Sequence, residues 1–193
     1  MKKLLGVTTL FSLVLLLAAC SGSSGSSSTA PDATQAYNLK VNLTDMPMSG
    51  VSSVHVTVAT VRVHQSADAG TDAAGWQDIP VTAGMPVDVL SLRNGVLLEL
   101  CRTTLPPGDY QQIRLVMTPN AGGGDASRNY VMTMDGVTHP IDMPSDVKIT
   151  HSFSVASGKT DVTLDFVAAN SMHQRGNGTY YMEPVIHAST MMK

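Results

Sequence analysis

The aromatic rings that could bind a ligand are few, since the sequence holds one Trp and five Tyr among its 193 residues. Trp76, Tyr130 and Tyr181 lie in or beside predicted strands, and an exposed platform of such rings favours a sugar ligand. The alternative is that each ring is partly buried and its polar tip is hydrogen-bonded. Asp45 and Asp165 are the carboxylates that we add to this candidate ligand-binding site. A turn position would also explain Asp45, and a contact with backbone or with an arginine would also explain Asp165.

Methionine and histidine indicate a second kind of chemistry, the binding of soft Cu(I) through thioether groups. The sequence has 12 Met and 6 His, and Met132 and Met134 would share one face of a strand. The histidines show neither the HxH nor the HExxH spacing of metal sites, and Met is also a flexible core filler. We therefore assign no metal ligand and no cofactor. A periplasmic copper-binding protein with Met and His ligands is the alternative prediction.

No set of residues predicts catalysis. A nucleophilic Ser or Cys needs a base and an orienting acid, and the chain has no Gly-x-Ser-x-Gly motif. Cys101 ends the apolar run 96–100 and is predicted to be a buried free thiol, because the other cysteine, Cys20, lies in the N-terminal segment. Glycoside hydrolysis needs two carboxyl groups about 5–10 Å apart, and no spacing predicts such a pair. The sequence predicts a protein that is not an enzyme.

The N-terminal segment has the order of a secretion signal. Lys2 and Lys3 precede an apolar run that is short for a permanent membrane span. The run ends in Leu17-Ala18-Ala19-Cys20, which resembles the lipobox of bacterial lipoproteins, in which the signal is cut before a lipidated cysteine. The resemblance implies a signal peptide over residues 1–19 and a lipid anchor on Cys20 that binds the membrane.

A linker and one folded domain follow the lipidated cysteine. Ser21 stands where an Asp would favour retention in the inner membrane, so we expect the outer membrane of the cell envelope. The stretch 20–36 is rich in Ser, Gly, Thr and Ala and has too few apolar side chains to fold, which predicts a disordered tether. The residues 37–190 then form a single domain of ordinary size.

The charge of the chain gives no reason to expect a nucleic-acid partner. The sequence has 12 Lys and Arg residues, including Lys2 and Lys3 of the signal, against 15 Asp and Glu residues. No basic run stands out in it. A mildly acidic domain lacks the positive patch that phosphate backbones require.

Apolar and polar residues alternate through most of the region 37–190, which predicts strands with one face toward the core. In the stretch 51–64 the valines change from even-numbered to odd-numbered positions, which predicts a β-bulge or bend near Ala59-Thr60. Asp135-Gly136 predicts a two-residue hairpin turn of type I′. The other predicted strands cover residues 37–43, 76–79, 85–90, 97–101, 111–118, 130–134, 137–141, 147–155, 160–167 and 180–187.

Helical spacing is absent beyond a turn or two, for which the loop 168–178 has room. A parallel sheet would need crossover helices, so the pattern predicts an all-β fold, an antiparallel β-sandwich of the transthyretin-like or immunoglobulin-like kind. On the strand 111–118, Ile113 and Leu115 are predicted to face the core, with Gln112 and Arg114 on the opposite face.

Several segments, taken in order, resemble one bacterial and archaeal family, the domain of unknown function 4382. The segments are LTDMP (43–47), VDVLSLRNG (87–95), LPPGDYQQIRL (105–115), MPS (143–145), LDF (164–166) and YMEPVI (181–186). The family is typical of lipoproteins and secreted proteins, and the resemblance implies no activity and no catalytic residues. Separately, the LPPGDY segment is similar to the turn that opens a strand in transthyretin-like sandwiches, which bears on the fold alone.

These observations predict a lipid-anchored protein of the cell envelope with a non-enzymatic β-sandwich. We expect it to bind a ligand, carbohydrate being one candidate, or an envelope protein, or to serve as a structural part of the envelope.

Overall fold

A computed structural model describes residues 36–45, 48–122, 124–176 and 179–193, all within one compact unit, Ala33–Lys193. The predicted signal peptide, the lipidation site Cys20 and nearly all of the predicted linker lie outside the described residues. The described part is almost entirely β-structure, which confirms the all-β prediction. No helix in it is long and apolar enough to cross a membrane.

Fourteen strands and two short helical turns make up the described part of the domain. The strands are β1 (Leu39–Asp45), β2 (Val51–Val56), β3 (Val58–His64), β4 (Gln77–Pro80), β5 (Val87–Asp88), β6 (Leu98–Thr103), β7 (Gly108–Met117), β8 (Tyr130–Thr133), β9 (Thr138–Asp142), β10 (Asp146–Val155), β11 (Thr160–Phe166), β12 (Met172–Gln174), β13 (Tyr180–Met182) and β14 (Ile186–Met192). A 3-10 helix (Val89–Leu92) follows β5, and the helix α1 (Ala168–Ser171) precedes β12.

Three sheets pack together, and the architecture is the predicted β-sandwich. The first sheet has the strand order β14-β11-β1-β6, and the second has the order β10-β7-β3-β4. The edges of these two sheets meet where the Thr82 N–H donates to the Leu100 carbonyl (2.9 Å) and where the His151 imidazole hydrogen-bonds the Thr190 hydroxyl (2.7 Å). The third sheet has six strands in the order β12-β13-β9-β8-β2-β5.

Two strand pairs are parallel, which differs from the expectation of a wholly antiparallel fold. β1 pairs with β11 from Leu39↔Thr160 to Asp45↔Phe166, and β9 pairs with β13. A parallel pair needs a long connection, usually a helix. For β1 and β11 this connection consists of the nine strands between them, so no crossover helix is required.

The stretch 51–64 forms two strands that belong to different sheets. β2 lies in the third sheet and β3 in the second. The pairing of β3 with β7 shifts register between Val58 and Thr60, and Ala59 is exposed between them. This irregularity confirms the bulge that the parity of the valines predicts, and it keeps the valines on both sides of the bend buried.

The side chain of Asn129 holds the junction between β2 and β3. Asn129 is fully buried. Its Oδ1 accepts from the Thr57 N–H (2.9 Å), and its Nδ2 donates to the Thr118 carbonyl (2.7 Å). Its own N–H and carbonyl bind the side chain of Asn120 (2.9 and 2.8 Å). The side chain of Asn129 thus supplies the hydrogen-bond acceptor and donor that a neighbouring strand supplies to the backbone elsewhere.

The hairpin between β8 and β9 has a three-residue loop, so the predicted type I′ turn is wrong. The Gly136 N–H donates to the Thr133 carbonyl (2.9 Å), and the Thr133 N–H donates to the Val137 carbonyl (3.0 Å). A type I′ turn needs positive φ at both central residues. Gly136 has a positive φ (82°), but Asp135 does not. The Thr133 hydroxyl donates to the Asp135 carboxylate (2.5 Å), which fixes the longer loop.

Two predicted strands are interrupted. The stretch 85–90 contains only the two residues of β5, because the Asp88 carboxylate accepts from the Leu90 N–H (3.1 Å) and caps the 3-10 helix there. The stretch 180–187 divides into β13 and β14 around Pro184, which has no N–H to donate to a strand ladder.

The loop 65–76 covers the side of the second sheet that carries Gln112 and Arg114. Both residues are buried, with exposed fractions of 0% and 8%. The Gln112 Nε2 and the Arg114 Nη2 donate to the Ala69 carbonyl (3.1 and 3.3 Å), and the Arg114 Nη1 donates to the Thr71 hydroxyl (3.0 Å). Arg114 also forms an ion pair with Asp146 on β10. The polar face predicted for this strand is therefore a second buried face.

Cys101 is a buried free thiol, as predicted. Burial and the negative charge of Glu99 raise its pKa to about 12. Because the thiolate is the reactive form of cysteine, this thiol stays protonated at neutral pH and is a poor nucleophile.

Candidate ligand-binding face

The six-stranded third sheet has one face in the core and one face outside it. Its core face carries the buried side chains of Val54, Val131, Ile141, Tyr180 and Met182. Alternation along each strand places the neighbouring residues on the opposite face. This opposite side, which we call the outer face, carries His55, Tyr130, Pro140, Asp142, Tyr181 and His173, none of which belongs to the core cluster. Four of these six side chains are aromatic.

His55 on β2 and Tyr130 on β8 form a first stack on the outer face. They are cross-strand partners, and their ring centroids lie 4.2 Å apart with 13° between the planes. Since the line between the rings runs from strand to strand, both rings stand upright on the sheet. Burial lowers the pKa of His55, and the Asp88 carboxylate opposes this effect only in part, so the imidazole is neutral at pH 7. The second ring face of Tyr130 is turned toward β9, where Pro140 is its partner.

Tyr181 on β13 is the centre of a second stack. His173 on β12 pairs with it across the strands, with ring centroids 5.0 Å apart and 28° between the planes. The Arg175 Cζ lies 4.7 Å from the centroid of the Tyr181 ring. The Arg175 Nη2 donates to the Asp142 carboxylate on β9 (3.0 Å), which places the guanidinium on the β9 side of Tyr181.

Between the two stacks lies β9, which carries the smaller side chains Pro140 and Asp142. Neighbouring strands are about 4.8 Å apart, and the partners of Tyr130 and Tyr181 on β9 are two residues apart, so the two tyrosines stand roughly 12 Å from each other across β9. The result is a channel with Pro140 and Asp142 on its floor, the Tyr130 ring on one side and the Arg175 guanidinium on the other. We call it the β9 channel.

The β9 channel combines flat apolar surface with hydrogen-bonding groups. An aromatic ring contributes apolar contact area, and the Asp142–Arg175 pair offers one acceptor group and one donor group to a ligand. In or beside the stacks the described residues include the carboxylates of Asp88, Asp142 and Glu183 and the guanidinium of Arg175. This balance disfavours a strongly anionic ligand and suits a neutral one that is rich in hydroxyl groups.

Of the predicted site residues, Tyr130 and Tyr181 lie on the outer face, and Trp76 does not. Trp76 precedes β4 in the second sheet, where its Nε1 donates to the Gly70 carbonyl (2.9 Å). The guanidinium carbons of Arg62 and Arg114 lie 4.9 and 5.3 Å from its ring. The indole therefore packs into the loop 65–76 and the arginines beside it.

Asp45 and Asp165 lie in the first sheet, apart from the outer face. Asp45 is buried, and its carboxylate accepts from the Ala168 N–H at the start of α1 (3.1 Å), which is a structural role. Asp165 is half-buried and is the cross-strand partner of Thr44 and His187. The suggested contact of Asp165 with an arginine is not made by Arg114, which pairs with Asp146 instead.

Five residues of the two stacks and the β9 channel are not among the predicted site residues: His55, Pro140, Asp142, His173 and Arg175. For His55 a signal exists, because Val54 and Val56 face the core and the residue between them must face outward. The others lie on β9, on β12 and just after β12. Their proximity follows from strand pairing over long sequence distances, which the local pattern does not contain.

Met132 and Met134 do not share a strand face, so that part of the copper prediction is wrong. β8 ends at Thr133, and Met134 lies exposed in the turn. Within the ranges that the structure describes, no group of three or more His, Cys, Asp and Glu side chains could hold a metal ion.

Comparison with known proteins bears on the family and not on the ligand. One family model, described as a domain of unknown function (DUF4382), matches residues 37–184. No curated protein and no solved structure gives a significant match. The matched range contains nearly all of the segments from 43–47 to 181–186 that carry the resemblance. A match over this much of the chain shows that the protein belongs to the family of the domain of unknown function 4382.

Proposed function

We propose that this protein is a lipid-anchored, non-enzymatic binding protein of the cell envelope, and that its outer face binds carbohydrate. The observation that carries the proposal is the pair of aromatic stacks on either side of the β9 channel. Solvent-facing sides of sheets normally carry polar side chains, whereas this one has four aromatic rings and a carboxylate–guanidinium pair within five neighbouring strands.

The chemistry of a sugar fits this surface in two ways. The C–H face of a sugar ring packs on an aromatic face such as that of Tyr130, and its hydroxyl groups donate to a carboxylate and accept from a guanidinium. Ligand sites are commonly built in this way, from apolar walls and a few polar groups that fix orientation. Because the two stacks extend over five strands, or roughly 20 Å, an oligosaccharide suits the surface better than a single sugar.

Tyr130→Ala is expected to weaken glycan binding about tenfold, because it removes the channel wall and the support of His55. The measurement is binding of the full protein, purified in detergent, to an array of neutral and acidic oligosaccharides, followed by titration of the best ligand. Tyr37→Ala is the matched control, since Tyr37 packs against Arg102 and Lys159 and not on the outer face. Equal binding by both variants, absence of binding to the array or steady hydrolysis of the bound glycan would each contradict the proposal.

The lipid anchor is proposed from the Leu17-Ala18-Ala19-Cys20 motif and the linker that follows it. A covalently attached acyl chain contributes about 0.8 kcal/mol per buried CH₂, and two or more chains hold a protein firmly on a bilayer. With Ser21 after the cysteine, the outer membrane is the proposed location.

Cys20→Ser is expected to abolish incorporation of a labelled fatty acid, because it removes the thiol to which the lipid would be attached. Cys101→Ser is the control, because it leaves Cys20 in place, and it should remain labelled. A Cys20→Ser protein that is still acylated would refute the assignment.

A further inference from the structure

A cleft of about 480 Å³ opens beside β9, at the edge of the outer face. Pro140 and Asp142 line it from β9, Asn120 from the connection between β7 and β8, and Arg175 and Thr179 from the connection between β12 and β13. Its volume lies in the range of pockets that hold small molecules. It has room for one or two sugar rings and not for a long chain.

The cleft and the β9 channel share three residues, Pro140, Asp142 and Arg175. A chain that lies along the channel therefore leads into the cleft. The cleft has the Asn120 loop on one side and Arg175 and Thr179 on the other. Because its volume of about 480 Å³ holds one or two sugar rings, the cleft fits the end of a chain better than its middle.

In its wall of the cleft, Asn120 has no side-chain group left for a ligand, because both ends of its amide are hydrogen-bonded within the protein. The Asn120 Nδ2 donates to the carbonyls of Asn129 and Ile141 (2.8 and 3.3 Å), and its Oδ1 accepts from the N–H groups of Arg128 and Asn129 (3.3 and 2.9 Å). The recognition of a ligand is thus left to Asp142 on β9 and to Arg175 on the opposite wall.

Asp142 and Arg175 are well placed to bind hydroxyl groups. Their side chains are 70% and 45% exposed, and the contact between them uses one carboxylate oxygen and one guanidinium nitrogen. The other carboxylate oxygen can accept a hydrogen bond from a sugar hydroxyl, and other N–H groups of the guanidinium can donate to the next one. Because the pair carries no net charge, it gives no preference to an acidic sugar.

We infer that this cleft binds the terminal residue of a neutral glycan, with Asp142 and Arg175 as the residues that recognise its hydroxyl groups. The inference rests on the proposed function, in which the outer face binds carbohydrate. It adds that the protein recognises the end of a chain and that neutral sugars are the substrate class.

The test uses single sugars, because a site for a terminal residue should bind one alone. The full protein in detergent, labelled with ¹⁵N, is titrated with glucose, galactose, mannose and N-acetylglucosamine, and separately with glucuronic and galacturonic acid. We expect at least one neutral sugar to shift the Arg175 Nε–H signal at millimolar concentration. Asp142→Asn should weaken this binding about tenfold, while Asp68→Asn, a matched change at an exposed loop residue of another sheet, should leave it unchanged.

Three results would overturn the inference: no shift of the Arg175 signal by any neutral sugar, tighter binding of the acidic sugars, or unchanged affinity in Asp142→Asn. Tyr130→Ala separates this inference from the proposed function, since it should weaken oligosaccharide binding and leave single-sugar binding within about twofold. If oligosaccharide binding depends on Tyr130 while no neutral sugar shifts the Arg175 Nε–H signal, only the inference fails. If single sugars shift the Arg175 signal but Tyr130→Ala leaves oligosaccharide binding unchanged, the extended outer-face site fails and the inference stands.

Discussion

Replacing Arg114 with alanine is expected to lower the free energy of unfolding by about 3 kcal/mol. The guanidinium is buried and binds Asp146, the Thr71 hydroxyl and the Ala69 carbonyl. Its removal leaves the Asp146 carboxylate without its cation and takes one of two donors from the Ala69 carbonyl, which Gln112 still binds. Water still reaches Asp146, whose side chain is 31% exposed, so the effect lies at the lower end of the range for buried ion pairs.

The measurement is urea unfolding of Arg114→Ala, with limited proteolysis to locate the damage. Because Arg114 fastens the loop 65–76 to β7, we expect new cleavage sites within that loop under native conditions. Arg175→Ala is the matched control, since Arg175 pairs with the 70%-exposed Asp142 of another sheet, and the loss there should stay below about 1 kcal/mol. Equal losses in the two variants would show that burial of the ion pair does not matter.

Asn129→Ala is also expected to cost about 3 kcal/mol, because it leaves two buried backbone groups without a partner. These are the Thr57 N–H and the Thr118 carbonyl, which Asn129 binds at 2.9 and 2.7 Å. Asn129→Asp keeps the acceptor for Thr57 and loses the donor to Thr118, so it should lie between alanine and the native residue in urea unfolding.

The control for this position is Asn170→Ala, at an exposed residue of α1, where the expected change is within about 0.5 kcal/mol. If Asn129→Ala were as harmless as Asn170→Ala, the β2–β3 junction would not depend on the buried amide. A loss in Asn129→Asp larger than that in alanine would point instead to the burial of a new charge.

The sequence predicts the parts of the fold that depend on local alternation. The change of parity in the valines of the stretch 51–64 locates the bulge at Ala59 because a one-residue slip moves every following side chain to the other face. The predicted burial of Cys101 follows in the same way from the apolar run before it. The pattern fails at Asp135-Gly136, where the Thr133 hydroxyl competes for the turn, and at Arg114, whose polar face is covered by a loop from elsewhere in the chain.

The candidate site is predictable only in part, because it depends on which strands become neighbours. Tyr130 and Tyr181 are recognisable as rings near strands. That they stand on either side of β9 follows from the parallel pairing of β9 with β13, which the alternation within the predicted strand 180–187 does not indicate. Trp76 is a predicted site residue that lies elsewhere. Its ring contacts Arg62, Arg114 and the Gly70 carbonyl, and the local pattern does not show that these groups come together.

The continuous backbone from β2 into β3 connects the occupancy of the outer face to the thermal resistance of the whole domain. His55 lies on β2, and three residues after it the chain enters β3, in the sheet that the loop 65–76 covers. Under the proposed function, a sugar bound to the His55–Tyr130 pair stabilises the folded state. Because β2 and β3 are continuous, its binding free energy adds to the free energy of unfolding of both sheets. A saturated protein should therefore resist heat and proteases even at the Trp76 loop, which the sugar never touches.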